Sequence, residues 1–226
     1  MRGLSQIYVI IGCLFVASLM ISNISAGKIV SFCGLNFTAA ILLFPLTYVF
    51  SDILTEVYGF KGSRLIIWMG FFCNFLMISF FSLVVKLPHP DFFKDQASYE
   101  IVLGMTPRLV LASMVAYFVG EFVNSVSLSA MKKITGGRYL WIRTIGSTMT
   151  GQFIDTFLFM IIAFLNIIPF EAILGMIFVE YVIKVTYEIF ATPITYKIVN
   201  LIKRSEGIDI FDYGVRYNPF GLKIWD

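Results

Sequence analysis

The sequence predicts an all-α integral membrane protein: a compact bundle of six transmembrane helices with both termini on the cytoplasmic side. Three observations predict it. Of 226 residues, 58% are hydrophobic and only 14% charged, with a mean hydropathy of +0.86, whereas a soluble domain carries about a quarter charged residues. Six mostly apolar runs, 7–27, 35–56, 65–86, 104–130, 145–168 and 171–201, each approach or exceed the roughly 20 residues that a helix needs to cross hydrocarbon. They are continuous, unlike the segments of about ten alternating residues in a membrane barrel. Finally, with the N-terminus inside, twelve basic residues fall on the cytoplasmic side and four outside, with Lys184 inside the sixth run; this bias sets orientation. The net charge of +3 expresses the same bias, and its scatter predicts no nucleic-acid partner.

The first run follows Arg2 and ends at the small-residue stretch "SAG" at 25–27, which imitates a signal-peptide cleavage site. Its core is too long for ordinary cleavage, and too short an apolar run precedes Cys13 for a lipoprotein signal. Helix one is therefore expected to stay. The second run ends in "FPLTYVFSDILTEVYG" at 44–59, and Gly59, Lys61 and Arg64 bring the chain out to the positive side before the third. "LPHPDFFKDQASYEIVL", 87–103, has two prolines and mixed charges, and reads as an external loop carrying the chain's single histidine, His89, in a solvated position. "KKITGGRYLWIRT", 132–144, supplies a cytoplasmic turn through its glycine pair, with Lys132, Lys133 and Arg138 acting mainly on topology. Pro193 lies inside the sixth run and can kink it. The polar tail 205–226 is too short for a catalytic domain, and closing the cytoplasmic face is a role that suits it. The whole reads as one transmembrane domain, 1–226. Cys13, Cys33 and Cys73 have neither metal-site spacing nor an even count, so they read as small buried hydrophobes.

Charges inside apolar runs need an explanation, because a charged group facing lipid is costly. Glu180, Lys184 and Glu188 stand four apart twice over and so share one helical face. They form either a structural ion-pair ladder or the wall of a polar cavity, and the cavity is the expectation here. Glu121 and Asn124 lie three apart in the fourth run; Thr148, Gln152 and Asp155 form a stripe on the fifth, where Gly151 permits close helix contact or a gap for solute. Asp52 and Glu56 share a face in the cytoplasmic quarter of the second helix. Arg64, Arg143 or Lys184 can neutralise one of them. Glu56 and Arg143 are expected at an inner gate, and Asp52 either there or at the lower wall of the cavity.

Several separated stretches carry a resemblance: "SNISAGK" 22–28, "FPLTYVFSDILTEVYG" 44–59, "GEFVNS" 120–125, "GRYLWIRTIGSTMTGQFIDT" 137–156, "YVIKVTYEIFATPITY" 181–196 and "YNPF" 217–220. In this order, over nearly the whole chain, they resemble the queuosine-precursor transporter family, also described as vitamin-uptake transporters. The resemblance implies a multi-pass protein of the bacterial cell inner membrane that imports a 7-deazaguanine (7-cyano-7-deazaguanine, its 7-aminomethyl relative or queuine) for tRNA modification. It also implies kinship with the substrate-binding membrane subunits of energy-coupling-factor importers. On this reading Asn23, Asp52, Glu121, Asn124, Gln152, Asp155, Lys184 and Glu188 are the substrate-binding candidates, and Glu56 and Arg143 the gate.

The residues argue against an enzyme. The sequence holds no HExxH pair, no GxGD-type aspartates and no Ser/His dyad, so neither catalytic residues nor a metal or cofactor is expected. A binding subunit that depends on a separate ATP-driven module is the alternative to autonomous transport, since the chain has no P-loop of its own. Partners are thus a small-molecule substrate and membrane lipid. Whether the unit is a homodimer, which 7-deazaguanine is preferred, and whether protons are coupled stay open at this stage.

Overall fold

A computed structural model describes residues 5–26, 28–32, 35–104, 107–167 and 169–221. Arg2 and Cys33, named above, and Lys223, one of the twelve basic residues counted inside, lie outside the described residues, as do the two chain ends. The elements are α1 (Gln6–Ser25), β1 (Ile29–Phe32), β2 (Leu35–Thr38), a 3-10 turn (Ala39–Leu42), α2 (Phe44–Lys86), α3 (Gln96–Leu103), α4 (Pro107–Ile134), α5 (Leu140–Phe164) and α6 (Phe170–Glu206).

The fold is helical apart from one departure. The expected helix over 35–56 begins only at Phe44; before it, β1 and β2 pair antiparallel, Ile29 with Thr38 and Phe32 with Leu35. Pro45 explains the late start. It stands at the first turn of α2, where its fixed φ suits a helix and its missing N–H costs nothing. The β-branched and aromatic residues ahead of it favour extended backbone. The stretch 87–103 also contains a helical segment, α3, that its prolines did not suggest. Between α4 and α5 only a short turn remains, in which Gly136 and Gly137 take φ of 56° and 79°, the left-handed conformation that glycine adopts without strain.

α2 is one run by length but two helices by geometry, because Gly59 at φ 75°, ψ 175° breaks it. Neighbours reveal the consequence. Descending from 56 to 48, the first half meets Lys132, then Asn124, then Gly120; ascending from 60 to 67, the second half meets Phe122, then Tyr117. Both halves climb α4 in the same sense from Gly59, so α2 is folded back on itself. A side chain at 59 would collide with Asp212 Oδ1 at 2.8 Å and Ile210 Cγ2 at 2.9 Å. Glycine is required there both for the turn and for the tail that packs beneath it.

Among the described residues, four helices are long and apolar enough to cross a membrane: Gln6–Ser25, Phe44–Lys86, Leu111–Ile134 and Leu140–Phe164. α6 has 37 residues, with Glu180, Lys184 and Glu188 in its middle. The apolar core joins Phe15 and Leu19 of α1 to Ile53, Leu54, Val57, Phe60 and Ile67 of α2 and Phe122 of α4. Phe72, Phe75, Leu76, Phe178 and Phe190 point outward, as expected of a surface whose solvent is lipid. Cys13 belongs to that surface and Cys73 is half-buried, which corrects the expectation of buried cysteines. Their helix faces look away from the bundle, where hydrocarbon supplies the apolar surroundings that a core would.

Candidate functional site

The polar residues buried between α2, α4, α5 and α6 are stacked in three layers, each fixed by helical periodicity. Nearest Gly59, Glu56 has no accessible surface. Its Oε1 accepts from Arg143 Nη2 at 2.7 Å and Lys203 Nζ at 2.6 Å, and Lys132 Nζ stands 3.7 Å away while bonding the Glu56 carbonyl. Arg143 also donates to Thr135 Oγ1 at 3.2 Å and to the Arg138 carbonyl. Lys132, read above mainly as a topology signal, is also buried and ion-paired, because the last turn of α4 lies over the break in α2.

The layer farthest from Gly59 is built on Lys184. It donates to Asp155 Oδ2 at 3.1 Å and Thr156 Oγ1 at 3.0 Å, lies 4.0 Å from Glu180 one turn back on α6, and sits 4.9 Å from the centre of the Phe44 ring. The expected shared face of Glu180, Lys184 and Glu188 is present, all three being buried. At this end α4 and α5 cross closely. A side chain at Gly120 would meet Asp155 Cβ at 2.8 Å and the Tyr48 hydroxyl at 3.0 Å; one at Gly151 would meet Asn124 Cβ at 2.8 Å and the Gly120 carbonyl at 2.9 Å. Of the two roles open to Gly151, close helix contact is the one observed.

Between these layers lie Tyr48, Ser51, Asp52, Glu121, Asn124, Thr148, Gln152 and Glu188, all buried. Asn124 Nδ2 donates to Asp52 Oδ1 at 2.8 Å, and Thr55 and Ser125 share a bond of 2.9 Å just below. Little else is satisfied. Asp52 Oδ2, both carboxylate oxygens of Glu121 and Glu188, Asn124 Oδ1, both polar atoms of Gln152 and the hydroxyls of Tyr48, Ser51 and Thr148 form no well-aligned hydrogen bond with protein, although the Ser51 hydroxyl stands beside Glu121. No described cation pairs with Asp52, Glu121 or Glu188, although Asp52 lies within Coulombic reach of the other two. Each orphaned buried group costs about 1–3 kcal/mol if left bare, so a layer of them calls for partners from outside the chain, water, ion or solute. Most of the orphans are acceptors, so the group that fits among them is rich in N–H donors. Among the described residues no three His, Cys, Asp or Glu side chains are arranged to hold a metal ion.

Nine of the ten residues singled out from sequence thus fall in one column: Glu56 and Arg143 at its foot, Asp52, Glu121, Asn124, Gln152 and Glu188 in the middle, Asp155 and Lys184 above. Of Arg64, Arg143 and Lys184, the cations expected to neutralise Asp52 or Glu56, Arg143 meets Glu56 and Lys184 meets Asp155; Arg64 Nη1 donates to the Asn218 carbonyl. Of the two places open to Asp52, it takes the unsatisfied layer and not the ion-paired foot, and Asn23 alone of the ten lies outside the column. Near the far end of α1, Asn23 bonds Asn74 at 2.8 Å and Ser113 at 3.2 Å.

Sequence reasoning missed Tyr48, Ser51, Lys203, Asp209 and Asp212. Tyr48 and Ser51 were within reach, since they stand one turn and one residue before Asp52 on the same apolar helix. Asp209 and Asp212 carried a fainter signal: two acids in the apolar stretch "IDIFDY". Asp212 Oδ2 accepts from the Phe60 N–H at 2.9 Å and from Ser129, capping the second half of α2. Asp209 Oδ1 pairs with Lys132 at 2.6 Å and Lys203 at 2.9 Å. Partial burial pushes its carboxyl up, but the hydrogen bonds and charges of the two lysines outweigh that and hold it below its ordinary value. Asp209 is therefore anionic at neutral pH.

Comparison with known proteins covers nearly all of this column. A family model described as "Putative vitamin uptake transporter" matches residues 38–198. A protein of Bacillus subtilis (strain 168) named "Probable queuosine precursor transporter" is 30% identical over 187 residues, which are 82% of this chain and 81% of that one. A protein of Haemophilus influenzae bearing the same name is 25% identical over 170 residues, 73% of this chain and 69% of its own. No solved structure matches. Asp52, Glu56, Glu121, Asn124, Arg143, Gln152, Asp155, Lys184 and Glu188 fall inside the matched region; Asn23, Lys203, Asp209 and Asp212 fall outside it.

Proposed function

The chain belongs to the vitamin uptake transporter family, multi-pass transporters of the bacterial inner membrane and not enzymes, and from that premise we propose that it imports 7-deazaguanine precursors of queuosine. The relatives' names support the substrate class. The observation that carries the reading is the middle layer: a set of buried acceptors left unpaired between two layers that are ion-paired.

A guanine-type edge offers a ring N–H and an exocyclic amino group beside a carbonyl. One carboxylate accepts both donors while an amide donates to the carbonyl. Glu121, Glu188 or Asp52 supplies the carboxylate, Gln152 Nε2 the donor, and Tyr48 an aromatic face for the ring. Selectivity follows from the cost of an unmet partner: an analogue without the exocyclic amine leaves a buried carboxylate oxygen bare. The Glu56 layer acts as the gate on the cytoplasmic side, its ion pairs closing the path while the site is occupied from outside. In this arrangement the two halves of α2 count as separate crossings, α6 crosses with its charges turned inward, and six crossings leave both termini in the cytoplasm.

The test is uptake by the purified chain alone in proteoliposomes. 7-cyano-7-deazaguanine, 7-aminomethyl-7-deazaguanine and queuine are each supplied with and without a pH gradient. Accumulation or equilibration of at least one of them, competed by the unlabelled compound, is expected. Failure to take up all three, with the protein folded and inserted, overturns the reading. Stimulation by the gradient assigns proton coupling, and equal rates assign facilitated passage.

A further inference from the structure

The two lysines that hold Glu56 are held equally by the tail. Lys203 Nζ lies 2.6 Å from Glu56 Oε1 and 2.9 Å from Asp209 Oδ1. Lys132 Nζ lies 3.7 Å from the same Glu56 oxygen and 2.6 Å from the same Asp209 oxygen, and also donates to the Ile210 carbonyl at 2.7 Å. The acids differ in position. The Glu56 side chain has no exposed surface, whereas that of Asp209 is 44% exposed, so the lysines stand between an inner and an outer carboxylate.

The outer carboxylate is anchored without help from Glu56. Residues on either side of it are tied to the hairpin of α2: the Ile210 N–H donates to the Val57 carbonyl at 3.2 Å and Asp212 caps Phe60, while Arg64 and Trp68 donate to the Asn218 and Pro219 carbonyls at 2.9 and 2.8 Å. Arg143, the third cation on Glu56, likewise has acceptors of its own in Thr135 and Arg138. Every cation on Glu56 therefore has a second acceptor.

Separating a buried ion pair is costly because it strands a charge. A second acceptor already in place removes that cost for the lysines. We propose that Asp209 is a positioning residue of the transport cycle: it retains Lys132 and Lys203 when Glu56 swings away, and so sets the rate at which the Glu56 end opens. Without Asp209 the lysines have Glu56 as their remaining carboxylate and clamp it. The tail thus becomes part of the gate, although it lies beyond the family-matched residues. The inference rests on the transport reading above for the role of the gate, but the motion itself is measured without solute.

Thr55, buried between Glu56 and Asp52, reports that motion. In a background with Cys13, Cys33 and Cys73 replaced by alanine, T55C in nanodiscs is titrated with a membrane-impermeant maleimide, with Asp209 intact or changed to Asn or Glu. D209N is expected to slow labelling about fivefold, the rate factor of one ion pair at a water-facing carboxylate, and D209E to restore it. Uptake by D209N without the reporter cysteine should fall by the same factor while equilibrium solute binding is unchanged. Labelling of T55C at the same rate with D209N as with Asp209 overturns the inference, and so does a loss of binding that matches the loss of uptake. If D209N slows labelling but the unmodified chain takes up no 7-deazaguanine, the role of Asp209 stands and the substrate reading falls.

Discussion

Glu56 and Glu121 are both glutamates with no accessible surface, two turns or so apart in depth, and they live in opposite surroundings. Three cations converge on Glu56, and its Oε1 is within 2.7 Å of two of them; neither oxygen of Glu121 forms an ion pair or a well-aligned hydrogen bond among the described residues. Burial alone therefore says little about what an intramembrane acid does. A paired acid is part of the scaffold or of something that opens, since its charge has already been answered. An unpaired one is held for a partner from outside. The same contrast separates Asp155, bonded to Lys184, from Glu188, a turn along α6 from that lysine, whose oxygens have no partner.

Mutations at the two sites should then part company in what they damage. The largest expected effect on stability is from E56Q. It leaves Arg143 buried without a carboxylate, whereas Lys132 and Lys203 keep Asp209, at a cost of about 3 kcal/mol, seen as a lower melting temperature in detergent. R143A in the same chain should recover part of the loss, since the stranded cation is then gone. A melting temperature unchanged by E56Q breaks the comparison. The next largest effect is E121Q, which should weaken 7-deazaguanine binding about 100-fold by removing a charged acceptor. Melting should not fall, because an unpaired acid contributes nothing to the folded state by its charge. If E121Q instead melts lower and binds normally, Glu121 is a scaffold residue and the distinction fails at its centre.

Much of the column was legible because helical spacing is a strict rule: acids and amides three or four apart inside apolar runs must share a face, and a shared polar face in hydrocarbon must turn inward. That placed Glu121 with Asn124, Gln152 with Asp155, and Lys184 with Glu188. The boundary between gate and site was not legible. Asp52 and Glu56 are adjacent on one face, and only the arrival of Arg143, Lys132 and Lys203 at the lower of the two separates them. Those contacts join α2, α4, α5 and α6 across 76 to 147 positions, beyond the reach of any local pattern. The strand pair 29–32 and 35–38 was missed because a short apolar run reads alike as strand or helix, and the tail acids because their meaning depends on the turn at Gly59.

The smallest effect sharpens the comparison from outside it. Asn23 sits in a motif of the resemblance, yet it bonds Asn74 and Ser113 toward the far end of α1, with its carbonyl and amide both answered. It is polar and in a family stretch, like Glu121, but paired, like Glu56. If partner status and not motif membership decides function, N23A should cost at most about 1 kcal/mol of stability, the net worth of an ordinary hydrogen bond, and leave solute affinity within a factor of about two. Paired melting and equilibrium binding measurements on N23A and E121Q decide the matter. A tenfold loss of affinity in N23A would mean that the site reaches the far end of α1, and that its walls extend well beyond the unsatisfied layer.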